Sequence, residues 1–305
     1  NFHYKGTRLG AHMLRTLTRT THKGFIDLSD PRVTNTLKAM MRQGMENVER
    51  AEALLDEYRP EIVFTHHPLN MEEGDIFEVA LVRGLNAIYW NDAQKTDYWI
   101  FKRYSQKNKG LQYFSVDDET WEIARQMEWT PEHEAILMEE IRRRYDPASR
   151  ADSRLLQQGK QMKDRETIWQ QLELDPGKKT AVVFSHITWD TSFLYGQDLF
   201  NDYEDWLVQT TRAACDNPRL NWIIKLHPAN LTKFKAWGMT GEYSEVTAIR
   251  NAIGELPEHV KLLYPETDIN TFSLFALTDY CLTVRGTIGI EMALFGIPVF
   301  TAGTG

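Results

Sequence analysis

Short segments in the second half of the chain combine glycine, hydroxyl and charged side chains where predicted strands end. The most informative has the sequence TVRGTIGIE at positions 283–291, where a strand leads through a glycine-containing turn into a helix. Gly286 and Gly289 allow close approach of the backbone to a ligand, and the first N–H groups of a helix favour an anion such as phosphate. Thr287 adds a hydroxyl donor and Arg285 a charged fork. The segment therefore predicts a phosphate site.

Glu291 lies one turn into the same helix, where its carboxylate can accept hydrogen bonds from ribose hydroxyls. The segment is not a P-loop, because no Gly-Lys-Ser/Thr follows, and it lacks the dinucleotide fingerprint. The alternative is an ordinary strand-to-helix turn whose Arg and Glu side chains are solvated. The residues alone leave both interpretations open.

A second segment, KLHP, stands where another apolar strand leaves the predicted sheet. Pro228 ends the strand pairing and directs His227 into the loop, beside Lys225. Both side chains suit the phosphate of a nucleotide that donates a group in a transfer reaction. In such a reaction His227 can stabilise the charge that grows on the leaving nucleotide. The alternative is a loop histidine bonded to a nearby carbonyl group.

A third segment, SHITWD, follows the first strand of the same predicted sheet, and we expect Ser185, His186 and Thr188 to line the same site. Asp190 is a candidate general base or sugar-hydroxyl ligand, and its alternative is a helix cap. Glu266 ends a later strand and is a candidate nucleotide contact; its alternative is a surface turn.

The N-terminal half offers candidates for acceptor binding. YKGTRLG at positions 4–10 is a glycine-containing loop that leads into a basic helix, and Gly6, Arg8, Gly10 and Arg15 are the predicted acceptor-side residues. A surface turn followed by a basic helix face is the alternative.

Two adjacent histidines end a predicted strand and suggest either a metal ligand or a general base. Neighbouring side chains on an extended chain point apart, and no carboxylate nearby has ligand spacing. His66 is therefore predicted as a candidate base, and no metal site is expected.

The elements that position these residues follow an α/β rhythm. Apolar periodicity predicts a helix from 30 to 58, a strand from 61 to 66, a helix from 74 to 83 and a strand from 87 to 90. Charged helical sequence from 116 to 177 follows, with a capping Thr-Pro at 130 and 131. Strands are then predicted at 180–185, 220–226, 260–264, 279–284 and 298–301. The predicted division is an N-terminal Rossmann-like acceptor domain (1–115), a helical linker or insertion (116–177) and a C-terminal Rossmann-like donor domain (178–305).

Composition limits the classes of function. The 305 residues carry a net charge of −8, which argues against general polyanion binding and hence against nucleic acid as a partner. Two cysteines make a disulfide framework or a cysteine metal site improbable, and a reducing cytoplasm fits best. No apolar run reaches the roughly 18 residues of a membrane span. The chain lacks an initial Met and stops just after a strand, so truncation at both ends is expected.

Four segments in this order resemble the capsule or surface polysaccharide biosynthesis glycosyltransferases. They are FSHITWD at 184–190, IIKLHPA at 223–229, LLYPETDI at 262–269 and TVRGTIGIEMALFGIPV at 283–299. The resemblance covers residues 178 to 303 and, more weakly, YKGTRLG. It implies an α/β protein of the GT-B type, with two Rossmann-like domains facing a cleft, no obligatory metal and a donor held by the C-terminal domain. By the same resemblance, His227 and Thr287 contact donor phosphate and Glu291 contacts the nucleotide.

The function expected from residues and resemblance together is that of a metal-independent glycosyltransferase of bacterial cell-surface polysaccharide synthesis. The nucleotide-sugar is a substrate rather than a cofactor, and the acceptor is the hydroxyl of a glycan or glycolipid. His227, Asp190 and His66 are the candidate catalytic residues. A cytoplasmic location is expected, with peripheral contact to the inner membrane or to a polysaccharide assembly complex.

Three other functions stay open at this point. LHP and TDY also resemble transferases that move polyol phosphate from CDP-glycerol in teichoic acid synthesis. The chain also fits a non-catalytic nucleotide-sugar-binding domain, because no base is unambiguous, and it fits a sugar-nucleotide epimerase of similar architecture.

Overall fold

The computed structural model describes residues 2–24, 26–93, 95, 97–149, 156–190 and 198–304. The described residues group into two compact units. The first holds the chain up to residue 117 together with residues 189 and 190, and the second holds 118–188 and 198–304.

The first unit contains a three-stranded sheet and three helices among its described residues. The helices are α1 (Leu9–Thr21), α2 (Pro31–Tyr58) and α3 (Glu73–Val82), and the strands are β1 (Ile62–Thr65), β2 (Asn86–Asp92) and β3 (Trp99–Tyr104). β1 and β2 are parallel, as predicted. β3 was not predicted and pairs antiparallel with β2, because the short connection between them does not allow a parallel crossover.

Local sequence explains why these helices form. Asp30 accepts a hydrogen bond from the Arg32 backbone N–H at 2.8 Å, and Pro31 occupies the first helical position of α2. The inner faces of the helices bury Leu9, Val48 and Phe77 in one apolar cluster. The helices predicted at 30–58 and 74–83 and the strands predicted at 61–66 and 87–90 are confirmed within one or two residues.

The second unit is built on five parallel strands. They are β4 (Thr180–Phe184), β5 (Asn221–Lys225), β6 (Val260–Leu263), β7 (Tyr280–Thr283) and β8 (Val299–Thr301), and all five were predicted. Their order in the sheet is β6-β5-β4-β7-β8. From β4, the next two strands along the chain, β5 and β6, are added on one side. The last two, β7 and β8, are added on the other side, so the strand order reverses between β4 and β7. In sheets of this kind, ligands bind beyond the carboxyl ends of the strands at that reversal.

Helices cover both faces of this sheet. The described helices are α4 (Asp118–Gln126), α5 (Pro131–Tyr145), α6 (Arg165–Gln171), α7 (Tyr203–Cys215), α8 (Ala229–Ala236), α9 (Ser244–Ile253), a 3-10 helix (Thr271–Leu277) and α10 (Thr287–Leu294). Val182 and Ile223 pack on one side in a cluster that includes Ile141 and Tyr145 of α5, within the segment predicted as a linker. Trp206 of α7 belongs to a second cluster, which packs on the other face. The α/β class is confirmed.

None of the helices in the described part of the chain is both long enough and apolar enough to cross a membrane.

Candidate functional site at the strand-order reversal

His186 joins the ends of the two strands at which the order reverses. Its Nε2 lies 3.1 Å from Thr283 Oγ1 and accepts from the Val284 backbone N–H at 3.2 Å. A backbone N–H can only donate, so the neutral ring carries its proton on Nδ1. The ring also stacks on Tyr203 with centroids 4.5 Å apart. His186 is thus a fixed connection between β4 and β7.

The glycine turn after β7 is tightly packed. The Gly286 N–H donates to Thr283 Oγ1 at 3.3 Å, and a Cβ at Gly286 would lie 3.0 Å from the same oxygen. A Cβ at Gly289 would lie 3.3 Å from Thr283 Cγ2 and Val299 Cγ1. α10 begins at Thr287 without a side-chain cap, so its positive dipole end is available at the reversal.

Arg285 is almost fully buried and forms an ion pair with Asp198. Burial raises the pKa of the Asp198 carboxyl, and the Arg285 guanidinium opposes that shift. Arg285 is therefore not the solvated side chain of the alternative interpretation. Its buried guanidinium lies in the loop after β7, with the Asp198 carboxylate beside it.

Glu291 is also buried and contacts two residues of α5 that the sequence did not suggest. It accepts a hydrogen bond from the Tyr145 hydroxyl, and its Oε1 lies 3.2 Å from Arg144 Nε. Burial, followed by the Glu291 charge, raises the pKa of Tyr145 well above its ordinary value. Arg144 Nη2 donates to Thr287 Oγ1 at 3.4 Å. A second guanidinium thus stands at the start of α10, and its sequence signal was the basic end of α5.

His227 takes a defined tautomer at the end of β5. Its Nδ1 accepts from the Ala229 N–H at 3.2 Å, so the neutral ring carries its proton on Nε2. The donor nitrogen of the neutral His227 ring is therefore Nε2, and an N–H donor is the kind of group that binds a phosphate oxygen. Pro228 follows as the first residue of the turn into α8.

Glu245 connects the loops after β4 and β5 and was missed by sequence reasoning. Its fully buried carboxylate accepts from Asn230 Nδ2 at 2.7 Å, Ser244 Oγ at 3.1 Å and Ser185 Oγ at 3.4 Å. Burial raises its pKa, while hydrogen bonds from its own backbone, from Asn230 and Ser244, and from the His227 backbone act in the opposite direction. Glu245 thus connects Ser185, which follows β4, to Asn230, which follows β5.

Lys225 ends β5 with its side chain buried. Burial, assisted by the nearby Lys160 charge, lowers its pKa to about 7. Lys160 donates to the carbonyl oxygens of Pro265 and Thr267 at 2.8 and 2.7 Å. A negative charge close to Lys225 would favour the protonated form of this lysine.

The other predicted donor-side residues lie in different surroundings. Thr188 is buried and donates to Ser244 Oγ at 2.9 Å. Glu266 is exposed and accepts from the Tyr243 hydroxyl. Asp190 groups with the first unit, where its carboxylate lies 3.7 Å from Arg19.

In the first unit, His66 also has a defined tautomer. Its Nδ1 donates to the Trp90 carbonyl at 2.9 Å, which leaves a lone pair on Nε2, as a general base requires. The His67 ring lies 4.0 Å away, and burial, His66 and two arginines lower the pKa of His67.

The predicted acceptor-side residues have structural roles in the same unit. Gly6 adopts a φ of 84°, and a Cβ at Gly10 would lie 2.7 Å from the Phe2 nitrogen. Arg8 forms an ion pair with buried Glu78. Arg15 Nε donates to an amide oxygen of the loop after β1 at 3.2 Å.

A buried polar network in the first unit was not predicted. Asp75 accepts from His12 Nδ1 at 2.8 Å, from Asn47 Nδ2 at 2.9 Å and from the Glu72 N–H at 3.0 Å. It connects α1, α2 and the start of α3 through one carboxylate.

The structure thus brings most of the donor-side candidates to one edge of one sheet. These are Ser185, His186, Lys225, His227, Arg285, Gly286 and Thr287. Among the residues that the structure describes, no group of three or more His, Cys, Asp or Glu could hold a metal ion.

No protein-family model matches the chain. No curated protein matches it either. Solved structures do resemble it at low identity. KpsC of Thermosulfurimonas dismutans, a beta Kdo 2,4 transferase, is 16% identical over 79% of this chain and 68% of that chain, with a TM-score of 0.39.

Two further structures show a similar degree of likeness. The S. aureus MnaA-UDP structure is 14% identical over 97% of this chain and 77% of its own, with a TM-score of 0.33. The UDP-GlcNAc 2-epimerase from Neisseria meningitidis bound to UDP-GlcNAc is 14% identical over 85% of this chain and 63% of its own, with a TM-score of 0.32.

Proposed function

We propose that the protein is a glycosyltransferase of the GT-B type whose second unit binds the nucleotide-sugar donor. The proposal is supported by groups suited to a phosphate that lie at or next to the carboxyl ends of the strands of one sheet. The uncapped start of α10 and the Thr287 hydroxyl follow β7, and the Nε2–H of His227 follows β5. The Arg144 guanidinium of α5 donates to Thr287. A nucleotide phosphate is the ligand that this set of donors suits best.

In the proposed reaction, an acceptor oxygen attacks the anomeric carbon of the donor sugar. The new bond is acceptor oxygen to anomeric carbon, and the bond that breaks is anomeric carbon to phosphate oxygen. The acceptor proton passes to a base, and the nucleotide leaves with the electron pair. His227 and Thr287 stabilise the charge on the departing phosphate by donating hydrogen bonds.

We assign the base to His66, with Asp190 as the alternative. The His66 ring already donates its Nδ1 proton to the Trp90 carbonyl, so Nε2 is the nitrogen that can accept a proton. Asp190 lies 3.7 Å from Arg19 Nη1, so its carboxylate already has a positively charged neighbour. The glycan or glycolipid acceptor and the contact with the inner membrane belong to the same proposal.

Lys225 is suited to bind the phosphate of the proposed donor. A buried lysine is unfavourable in the absence of a counter-charge, and a donor phosphate would supply one. The buried network of Glu245 would keep the His227 loop in register with the β4 loop when the donor binds.

The first experiment is a thermal-shift and calorimetric screen against CMP, UDP, GDP and CDP. A nucleotide that binds the native protein raises its melting temperature. His227→Ala and Thr287→Ala are each expected to weaken binding and to lower transfer by tenfold or more. The matched controls are His3→Ala and Thr36→Ala, which lie on the exposed surface of the first unit. Wild-type transfer rates in both site variants would refute the proposal.

Product analysis separates the remaining functions. Incubation with the bound nucleotide's sugar derivative and an acceptor mixture should give a glycosylated product. Transfer of glycerol phosphate, release of an epimer without acceptor, or tight binding without turnover would each replace glycosyl transfer with one of the other functions considered from the sequence.

A further inference from the structure

One face of α1, together with the residue that precedes the helix, carries four basic or titratable side chains. They recur at intervals of three or four residues, which places them along one side of the helix: Arg8, His12, Arg15 and Arg19. At the N-terminal end of this row, the partners are buried carboxylates of α3. Glu78 pairs with Arg8, and Asp75 accepts from His12.

The C-terminal end of the row lies against the loop that follows β1. Arg15 Nε donates to Asn70 Oδ1 at 3.2 Å, and the Met71 N–H donates to Thr16 Oγ1 at 3.1 Å. These two bonds attach the loop to α1. Asn70 thus supplies a neutral oxygen to Arg15 at this end of the row.

His67 of the loop lies within the field of both arginines. Burial and the adjacent His66 lower its pKa most strongly, and the Arg19 and Arg15 charges lower it further, while Glu73 has the opposite effect. Asp190 lies 3.7 Å from Arg19. The described groups at this end are therefore two guanidiniums, two histidine rings and two nearby carboxylates.

The geometry points to a binding site for a negatively charged group of the acceptor, a carboxylate or a phosphate, formed by Arg15, Arg19 and His67. This inference rests on the proposed function, because it takes the first unit to be the acceptor side. A guanidinium presents a planar fork that matches both anions. Arg15 is 7% exposed, so its packed stem holds the fork in place before a ligand arrives.

The proposed anion site lies next to His66, the proposed base, and this position suggests what the site does. The two histidine rings are 4.0 Å apart, and the Nε2 of His66 is the proposed proton acceptor. An anionic group held by the arginines would therefore orient the acceptor hydroxyl beside the base. The substrate class that follows is an acidic acceptor, either a sugar acid or a phosphorylated glycan or lipid.

The test uses the imidazole ring signals in ¹H–¹³C NMR spectra of the whole chain, assigned with His66→Gln and His67→Gln. Inorganic phosphate, glucuronate and glucose are titrated separately at constant ionic strength. We expect phosphate or glucuronate to shift the His67 signals to saturation, and glucose to leave them unchanged. A shift with glucuronate alone identifies a carboxylate site, and a shift with phosphate alone identifies a phosphate site.

Two variants and a control locate the binding. Arg19→Gln, on a partly exposed side chain, should weaken the affinity about tenfold, and Arg15→Gln should weaken it at least as much. Arg32→Gln, at the exposed start of α2, should leave it unchanged. Saturation of the His67 signals by neither anion, or equal affinity in Arg19→Gln and the wild type, would overturn the inference.

Nucleotide binding separates this inference from the proposed function. Arg19→Gln should keep the wild-type thermal shift with the nucleotide that binds the second unit. A chain that binds nucleotide but neither anion at His67 retains the proposed function and loses the acidic acceptor. A chain that binds anions at His67 but no nucleotide retains an anion site and loses the transferase.

Discussion

The backbone N–H of Val284 donates to Nε2 of His186 across 3.2 Å, and this bond connects the ends of two parallel strands. The two strands are β7 and β4, between which the strand order reverses. A neutral histidine is required, because a protonated ring would offer only donors at both nitrogens. The bond therefore fixes both the geometry of the proposed phosphate site and the protonation state of one of its residues.

Replacement of His186 by Leu should destabilise the second unit and weaken nucleotide binding. The Val284 N–H would lose its acceptor in a largely buried position, which costs roughly 1–3 kcal/mol. His186→Phe retains an aromatic ring against Tyr203 and isolates the hydrogen bond from the stacking. Urea unfolding of both variants and nucleotide calorimetry provide the measurement.

The surface variant His3→Leu serves as the control for this pair and should behave like the wild type. If His186→Phe matched the wild type in both stability and nucleotide affinity, the hydrogen bond would have no role in either.

Glu245 should contribute to stability through the hydrogen bonds that its oxygens accept more than through its negative charge. Burial raises its pKa, so the folded state retains a proton at pH values where the unfolded chain has lost it. Stability should consequently fall as pH rises from the ordinary Glu value near 4 through the raised folded value. Glu245→Gln should remove that slope, and Glu245→Ala should cost roughly 3–5 kcal/mol by leaving several donors unpaired.

Thermal melts between pH 4 and pH 8 check this prediction. Glu258→Gln, an exposed carboxylate outside the network, is the control and should keep the slope of the wild type. An unchanged slope in Glu245→Gln would mean that the carboxyl group is not the origin of the pH dependence.

The positions of the strands, and of the polar residues after them, could be predicted because both depend on local sequence. β4 and β5 are short runs in which every residue is buried, and the central residues of such strands are apolar on both faces of the sheet. Polar residues that directly follow parallel strands lie at the same end of the sheet, so the shared location of His186, His227 and Thr287 followed from the expected parallel direction of the strands.

The supporting residues could not be predicted because they act across elements distant in sequence. Glu245 reads as an ordinary acidic residue in the first turn of α9, and only packing turns it toward Asn230. Tyr145 reaches Glu291 across 146 positions of sequence. β3 lacks a clear polar and apolar alternation, because its outward residues Trp99 and Phe101 are themselves aromatic.

Substitution of Asp75 should lower the stability of the first unit more than substitution at its other positions. Replacement by Ala leaves the donors of His12, Asn47 and Glu72 without their acceptor in a fully buried site. We expect a loss of roughly 3–5 kcal/mol, confined to the first unit. Hydrogen exchange measured by mass spectrometry should show faster exchange in α1 and α3 and wild-type exchange in the strands of the second unit.

The exposed ion pair between Asp56 and Arg83 offers a matched control, because an exposed pair contributes little. Asp56→Ala should leave the exchange of both units unchanged. Equal protection of α1 in Asp75→Ala and the wild type would show that the buried network does not hold the three helices together.

Lys225 gives a prediction in which stability and binding change in opposite directions. Its folded pKa of about 7 lies below the value of about 10.4 for an unfolded lysine. Between those values the unfolded chain binds more protons, so stability rises with pH across the window. Below the lower value, the buried ammonium costs the folded state the full difference, roughly 3–5 kcal/mol.

Lys225→Met should therefore raise the melting temperature most at pH 6, and the gain should shrink as pH approaches 10. The same variant should bind nucleotide more weakly, because the phosphate loses its buried counter-charge. Lys235→Met, on the exposed side of α8, should change neither property. A gain in stability that does not vary with pH would place the effect in packing alone, and unchanged nucleotide affinity would remove Lys225 from the donor site.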